Sequence, residues 1–182
     1  MWQQWWMQAV AQTGRGSEGI SLRPYRESDL ESVVRLFTDS VHQLARDHYD
    51  VAQRDAWAPR PPDLAGWRLR LAGPTTHVAE AGGKLLGFIS YELNGHVELL
   101  YTAPLAARRG VASVLYHEAE VALVARGVSE VFTEASLVAR PFFERQGFSV
   151  TEEQYVQRRG RKFLRYAMRK SLVDQRPSAV NC

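Results

Sequence analysis

H-V-E-L-L-Y-T-A-P-L-A-A-R-R-G-V-A-S-V-L-Y-H-E-A-E-V-A-L-V-A-R, residues 96–126, is the stretch whose reading decides the fold. A run of β-forming residues from Val97 to Thr102 leads through Pro104 into a turn made by Arg108, Arg109 and Gly110. From Val111 onward the apolar residues recur at helical spacing, as Val111, Val114, Leu115, Ala119, Ala122 and Leu123. Gly127, directly after Arg126, signals the helix end. A strand, a glycine turn and a helix in this order make an anion cradle. Amide N–H groups at the helix start point outward, the helix dipole favours negative charge, and glycine lets a phosphate come close to the backbone. The stretch is expected to hold a pyrophosphate.

Upstream of this stretch, T-H-V-A-E-A, the turn Gly82-Gly83 and K-L-L-G-F-I-S-Y-E-L read as a hairpin, and Asn94-Gly95 turns the chain back into the strand at 96–102. Further upstream, I-S-L-R-P is a short strand ended by Pro24. Ser28 and Glu31 have capping-box spacing ahead of a helix carrying Leu30, Val33, Val34, Phe37, Val41 and Leu44. Residues 47–57 read as a loop and a short helix stopped by A-P-R-P-P, and Asp63 caps a further turn with Leu64, Trp67 and Leu71. Downstream, S-E-V-F-T-E-A-S is a strand and residues 140–146 a short helix closed by Gly147. Two final strands turn at R-R-G-R. The helix between the fourth and fifth strands makes that pair parallel if both lie in one sheet. The fold class is therefore α/β: one domain with a mixed, mostly antiparallel sheet and a central parallel strand pair flanked by helices.

The chain has 182 residues, 45% hydrophobic and 24% charged, which suits one ordinary domain. The domain is assigned to residues 20–172. Residues 1–19 read as a leader and linker, either a disordered leader or a short amphipathic helix in which Trp2, Trp5, Trp6 and Val10 share one face as a candidate dimer hook or lid; residues 173–182 read as a flexible polar tail. A net charge of +3 does not call for a nucleic acid or membrane partner. The sole cysteine, Cys182, leaves neither an intrachain disulfide nor a C-x-x-C metal site, and the five histidines lack metal-ligand spacing. With neither a secretory signal pattern nor an apolar span, the expected location is cytoplasmic.

Two segments carry a resemblance to a known family: L-L-Y-T-A-P-L-A-A-R-R-G-V-A-S-V-L and T-E-A-S-L-V-A-R-P-F-F-E-R-Q-G-F. Together they resemble the GNAT superfamily of acyl-CoA-dependent N-acyltransferases, over residues 20–172. The first is similar to that family's coenzyme-binding pattern Q/R-x-x-G-x-G/A, with Ala107 at the Q/R position and Gly110 and Ala112 retained. The resemblance implies acetyl-CoA as cosubstrate and no metal. It also implies that Leu100, Tyr101 and Thr102 line the pantetheine, that amides from Arg108 through Arg109, Gly110, Val111 and Ala112 to Ser113 hold the pyrophosphate, and that Ser136 and Phe143 stand at the coenzyme. It implies transfer of an acetyl group to the primary amine of a small molecule or peptide. The rival readings are a non-catalytic acyl-CoA-binding module and an RNA-associated protein using the basic hairpin of Arg158, Arg159, Arg161, Lys162 and Arg165; that charge run also reads as a solvated turn.

Acetylating an amine requires it neutral. A lysine-like amine is about three pH units above neutrality, so deprotonation costs about 4 kcal/mol, whereas protonating a thiolate matters only about 1.4 kcal/mol. A base is needed more than an acid. Strand alternation puts His96, Glu98, Leu100 and Thr102 on one face, which offers Glu98 as the base, directly or through water, with His96 as the alternative; Glu98 also reads as the structural partner of a lysine or arginine. Glu134 is a second carboxylate placed to position the amine, and Tyr49 and Trp57 are candidates for the acceptor wall. The family position often held by a tyrosine acid is Phe143 here, which cannot donate a proton. That leaves water or another hydroxyl to protonate the thiolate, with Tyr101 and Tyr116 as the candidate hydroxyls.

Overall fold

The computed structural model describes residues 19–173. The tryptophan leader and the polar tail lie outside the described residues. In chain order the elements are β1 (Ser21–Pro24), α1 (Leu30–Leu44), α2 (Val51–Trp57), α3 (Leu64–Ala72), β2 (Thr75–Ala81), β3 (Lys84–Tyr91), β4 (Val97–Thr102), α4 (Val111–Ala125), β5 (Glu130–Ser136), α5 (Arg140–Arg145), β6 (Ser149–Arg158) and β7 (Arg161–Ser171). Short 3-10 turns precede α1 and α4.

Strand alternation assigns the core. Val78, Phe88 and Leu99 point to one face of the sheet and pack beneath Val33, Val34 and Phe37 of α1. Their neighbours Ala79 and Ile89 point to the other face and meet Val111, Leu115 and Ala119 of α4. Helices thus cover both faces, as the apolar runs of β2 and β3 require. The turn ahead of α1 differs from the capping box expected at Ser28 and Glu31. The helix is preceded by residues 27–29 in a 3-10 turn, and the acceptor is the Asp29 carboxylate, which takes the Arg26 N–H at 2.8 Å. Arg23 clamps the same carboxylate with both terminal nitrogens, at 2.7 and 2.9 Å, an option three residues of local sequence do not show. Asp63 does cap α3 by accepting from the Gly66 N–H at 2.9 Å, but α3 is a nine-residue helix rather than a single turn.

The sheet is two sheets. Strands β1-β2-β3-β4 form an antiparallel set, and β5-β7-β6 form another. The parallel pair β4 and β5 touches only at its start, through a bridge between His96 and Phe132. Beside it the Phe132 N–H donates to the Gly95 oxygen at 3.0 Å, and the Thr133 hydroxyl donates to the Val97 oxygen at 2.8 Å. Beyond that pin no ladder joins the two strands, and the gap between them opens toward Thr102 and Ser136. Gly95 makes the pin sterically possible: its φ is +96°, and a Cβ there would stand 2.2 Å from the Glu130 carbonyl oxygen. Gly95→Ala should therefore lower stability by about 3 kcal/mol or more, read from urea unfolding monitored by circular dichroism.

Asp29 supplies a pH test. The Arg23 guanidinium, opposed by burial and aided by the Arg26 N–H, holds the Asp29 carboxyl below the usual aspartate range. A lowered folded pKa gives stability that is complete above the unfolded value of about 3.9 and fades as pH falls through the folded value. Asp29→Asn should cost about 1–2 kcal/mol at neutral pH, and the difference from the parent should shrink progressively as the pH falls below the unfolded value of about 3.9. Equilibrium unfolding measured across that pH range checks it.

Candidate active site

The β4–β5 gap is built by a bulge. Tyr91 pairs with Val97 and Ser90 with Leu99, so Glu98 has no partner on β3. The bulge breaks the alternation that would have put His96, Glu98, Leu100 and Thr102 on one face. Glu98 turns to the α1–α3 side, where the Arg70 Nε of α3 meets its carboxylate at 2.6 Å. Leu100 instead packs with the α4 side of the core, and His96 reaches across to β5, with Nε2 2.9 Å from a Glu134 carboxylate oxygen and its ring stacked on Phe132. After the bulge, the Ala103 N–H donates to Leu86 on β3 at 2.8 Å. By alternation Leu99 and Tyr101 also aim their backbone groups at β3, and those of Leu100 and Thr102 face the open gap.

Two cavities occupy this gap. The first, about 490 Å³, is lined by Leu100, Tyr101 and Thr102 from β4, by Arg108, Gly110, Val111, Ala112 and Ser113 from the turn and first residues of α4, and by Ser136 and Phe143. Arg109, on the same turn, does not line it and points to solvent with its neighbour. Arg108 and Gly110 adopt positive φ values of 61° and 82°, which turns the chain sharply into α4. The first helical bond runs from the Val114 N–H to the Gly110 oxygen, so the amides of Val111, Ala112 and Ser113 precede the helical ladder and have no intrahelical acceptor. A Cβ at Gly110 would meet nothing within 4 Å. This is open space in front of a helix N-terminus, the geometry an anion needs.

The second cavity, about 410 Å³, lies on the other side of the gap and is lined by Tyr49, Trp57, Arg70, Glu98 and Glu134, and by Arg158, Phe163 and Arg165 of the last hairpin. Trp57, Tyr101 and Ser136 line both cavities, so the two meet there. His96 lines neither; it stands behind Glu134. Asp50 and Gln53 cap α2 reciprocally, at 2.7 and 3.1 Å, and Gln53 also donates to the Lys162 oxygen at 2.9 Å. Arg159 donates to the Ala56 oxygen at 2.8 Å, which ties the hairpin to the end of α2 and sets Trp57 at the junction. Tyr49, Trp57 and Phe163 pack as mutually tilted rings with centroids 5.2 to 6.1 Å apart.

The hydroxyls divide clearly. Tyr116 is buried in the core, and its hydroxyl donates to Glu120 at 2.8 Å; Glu120 in turn is paired with Lys170. Burial, and next the Glu120 charge, push the Tyr116 hydroxyl far above the usual tyrosine range, and Tyr116 lines neither cavity. Tyr101 does face both cavities, and burial raises its pKa against the opposing pull of Arg70, so it holds its proton at neutral pH. Phe143 is buried against Tyr116 and Phe148. Tyr49 uses its hydroxyl structurally, accepting from the Leu137 N–H at 3.2 Å and donating to the Leu164 oxygen at 3.4 Å. Arg70 went unnoticed in the sequence because α3 reads as one turn. Among the described residues no group of three metal-ligating side chains is found, and no helix is long and apolar enough to cross a membrane. Tyr49→Phe should leave the Leu137 amide unpaired and cost about 1–2 kcal/mol in urea unfolding.

A seven-stranded α/β fold with a splayed parallel pair, an open helix N-terminus and a second cavity across the gap defines the class of GNAT acyltransferases. The acetyltransferase (GNAT) domain model matches residues 51–170. The chain is 34% identical over 150 residues to the uncharacterized N-acetyltransferase YafP of Escherichia coli K12, covering 82% of this chain and 95% of that protein. A crystal structure from Rhodopseudomonas palustris, described as a GCN5-related N-acetyltransferase, aminotransferase class-II, superposes with a TM-score of 0.81 at 32% identity, covering 85% of this chain and 96% of that one. The PaiA N-acetyltransferase of Thermoplasma acidophilum, crystallised with coenzyme A, shares the fold at a TM-score of 0.65 and 19% identity, over 84% of this chain and 98% of its own. The chain belongs to the GNAT acetyltransferase family.

Proposed function

We propose that the chain transfers an acetyl group from acetyl-CoA to the primary amine of a small molecule or peptide. The observation that carries this reading is the meeting of two cavities at Trp57, Tyr101 and Ser136, one with an anion cradle and the other with carboxylates. The residues present fit the coenzyme. Amides of Val111, Ala112 and Ser113 and the turn at Arg108 and Gly110 would hold its pyrophosphate, with Arg109 adding positive charge from outside. The open backbone edge of Leu100 and Thr102 would hold the pantetheine. Bound there, acetyl-CoA supplies an activated acetyl group and a thiol leaving group.

On the acceptor side, Glu98 keeps one carboxylate oxygen on Arg70 and offers the other to the cavity, where it takes the amine proton directly or through a water. Glu134, oriented by His96, is the second carboxylate and positions the ammonium before its proton is lost. The Leu100 N–H faces the gap and stabilises negative charge developing on the carbonyl oxygen. Tyr101, protonated and shared by both cavities, returns a proton to the departing sulfur, the role that Phe143 cannot fill.

Thiol release measured over a panel of amines tests the reading; coenzyme binding with no turnover of any amine would favour a binding module instead. Glu98→Gln should lower kcat/KM about 100-fold, most at low pH where the amine arrives protonated, with the KM for acetyl-CoA changed less than about twofold. Tyr101→Phe should lower kcat only about tenfold, because a thiolate needs little help to leave. An unchanged pH–rate profile in Glu98→Gln would remove Glu98 from the base role.

A further inference from the structure

The acceptor cavity has more positive charge than amine chemistry needs. Three guanidinium groups, those of Arg70, Arg158 and Arg165, line it against the two carboxylates of Glu98 and Glu134. Arg70 is committed to Glu98, and Arg165 donates to the Gln154 side-chain oxygen at 2.9 Å. The Arg158 guanidinium has no hydrogen bond or ion pair among the described residues. Alternation along β6 and β7 puts it on the sheet face of Val156, Phe163 and Arg165, toward the cavity. Arg158 is an exposed residue whose positive charge shares the cavity lining with those of Arg70 and Arg165. An arginine does not relieve such a position by losing its proton; it relieves it by taking an anion.

Resting on the acetyl-transfer reading for the fate of the amine, we infer that Arg158 is an anion-binding group for the acceptor, and that the acceptor is an amino-carboxylate with an apolar body. The three parts of such a molecule have separate places. Its carboxylate meets the planar fork of Arg158, with Arg165 beside it. Its apolar body lies on the wall of Tyr49, Trp57 and Phe163. Its ammonium goes to Glu98 and Glu134, where β4 and β5 part. A volume of about 410 Å³ is right for a molecule of amino-acid size and small for a folded protein surface. The charge is also selective: an amine without a carboxylate makes no ion pair with Arg158, so the cavity discriminates by what the wrong substrate fails to supply.

The test compares acetylation of L-phenylalanine with that of phenethylamine, which lacks only the carboxylate, in the parent, Arg158→Gln, Arg158→Lys and Lys162→Gln. The expected result is a KM for phenylalanine at least about tenfold below that for phenethylamine. Arg158→Gln should abolish this preference, Arg158→Lys should restore part of it, and Lys162→Gln, which removes one positive charge from the opposite face of the same hairpin, should keep it. Equal use of both amines, or a preference that persists in Arg158→Gln, overturns the inference while leaving acetyl transfer standing. If neither amine is acetylated, calorimetric titration of the coenzyme A complex with N-acetyl-L-phenylalanine and N-acetylphenethylamine still decides it. Tighter binding of the acid, lost in Arg158→Gln, sustains the anion site on its own and makes the transfer reading the part that failed; equal binding of the two overturns the site.

Discussion

A few hydrogen bonds at one end of a strand pair hold the two sheets together and leave the rest of the pair apart. The Gly95 carbonyl accepts from Phe132, the Val97 carbonyl accepts from Thr133, and the ladder then stops. A closed parallel pair would satisfy every backbone group and leave no room between strands. An unpinned pair would not fix the distance between the cradle on α4 and the hairpin of β6 and β7. The close passage of Gly95 against Glu130 thus sets the width of the gap in which both cavities form.

The bulge at Glu98 is the second consequence of that geometry. It moves one carboxylate to the α3 side of the sheet and resets which amides face the gap. One inserted residue thereby provides both a carboxylate in the second cavity and an unpaired backbone edge at the first. The position of Tyr101 follows from the same register: its ring packs between Phe37 and Phe88 while its hydroxyl stays at the junction. A phenylalanine in the helix that follows β5 therefore does not leave the site without a hydroxyl.

Much of the fold was legible in the residues because strands and helices bury faces of different period. The helical spacing from Val111 to Leu123 and from Leu30 to Val41, and the glycine turns at Gly82-Gly83 and Asn94-Gly95, report local packing that a short window contains. The cradle at Arg108–Ser113 was legible for the same reason, since a helix N-terminus and its glycine turn are adjacent in sequence. What failed were statements about distant neighbours. Asp29, not Ser28, became the acceptor ahead of α1 because Arg23 reaches it from β1. The common face of His96 and Glu98 was lost to a bulge that depends on how β3 pairs.

By itself the sequence determined the α/β class, the order of the elements and the anion cradle, all of which rest on interactions within a few residues. Only the tertiary structure decided the lining of the second cavity. Arg70 on α3, Glu98 on β4, Glu134 on β5 and Arg158 on β6 are spread over 89 positions of the chain and meet only after the two sheets are pinned. Charge pairing of this kind falls off with distance in space and carries no periodic mark along the chain. The cradle was therefore readable in the residues, and the charges across the gap were not.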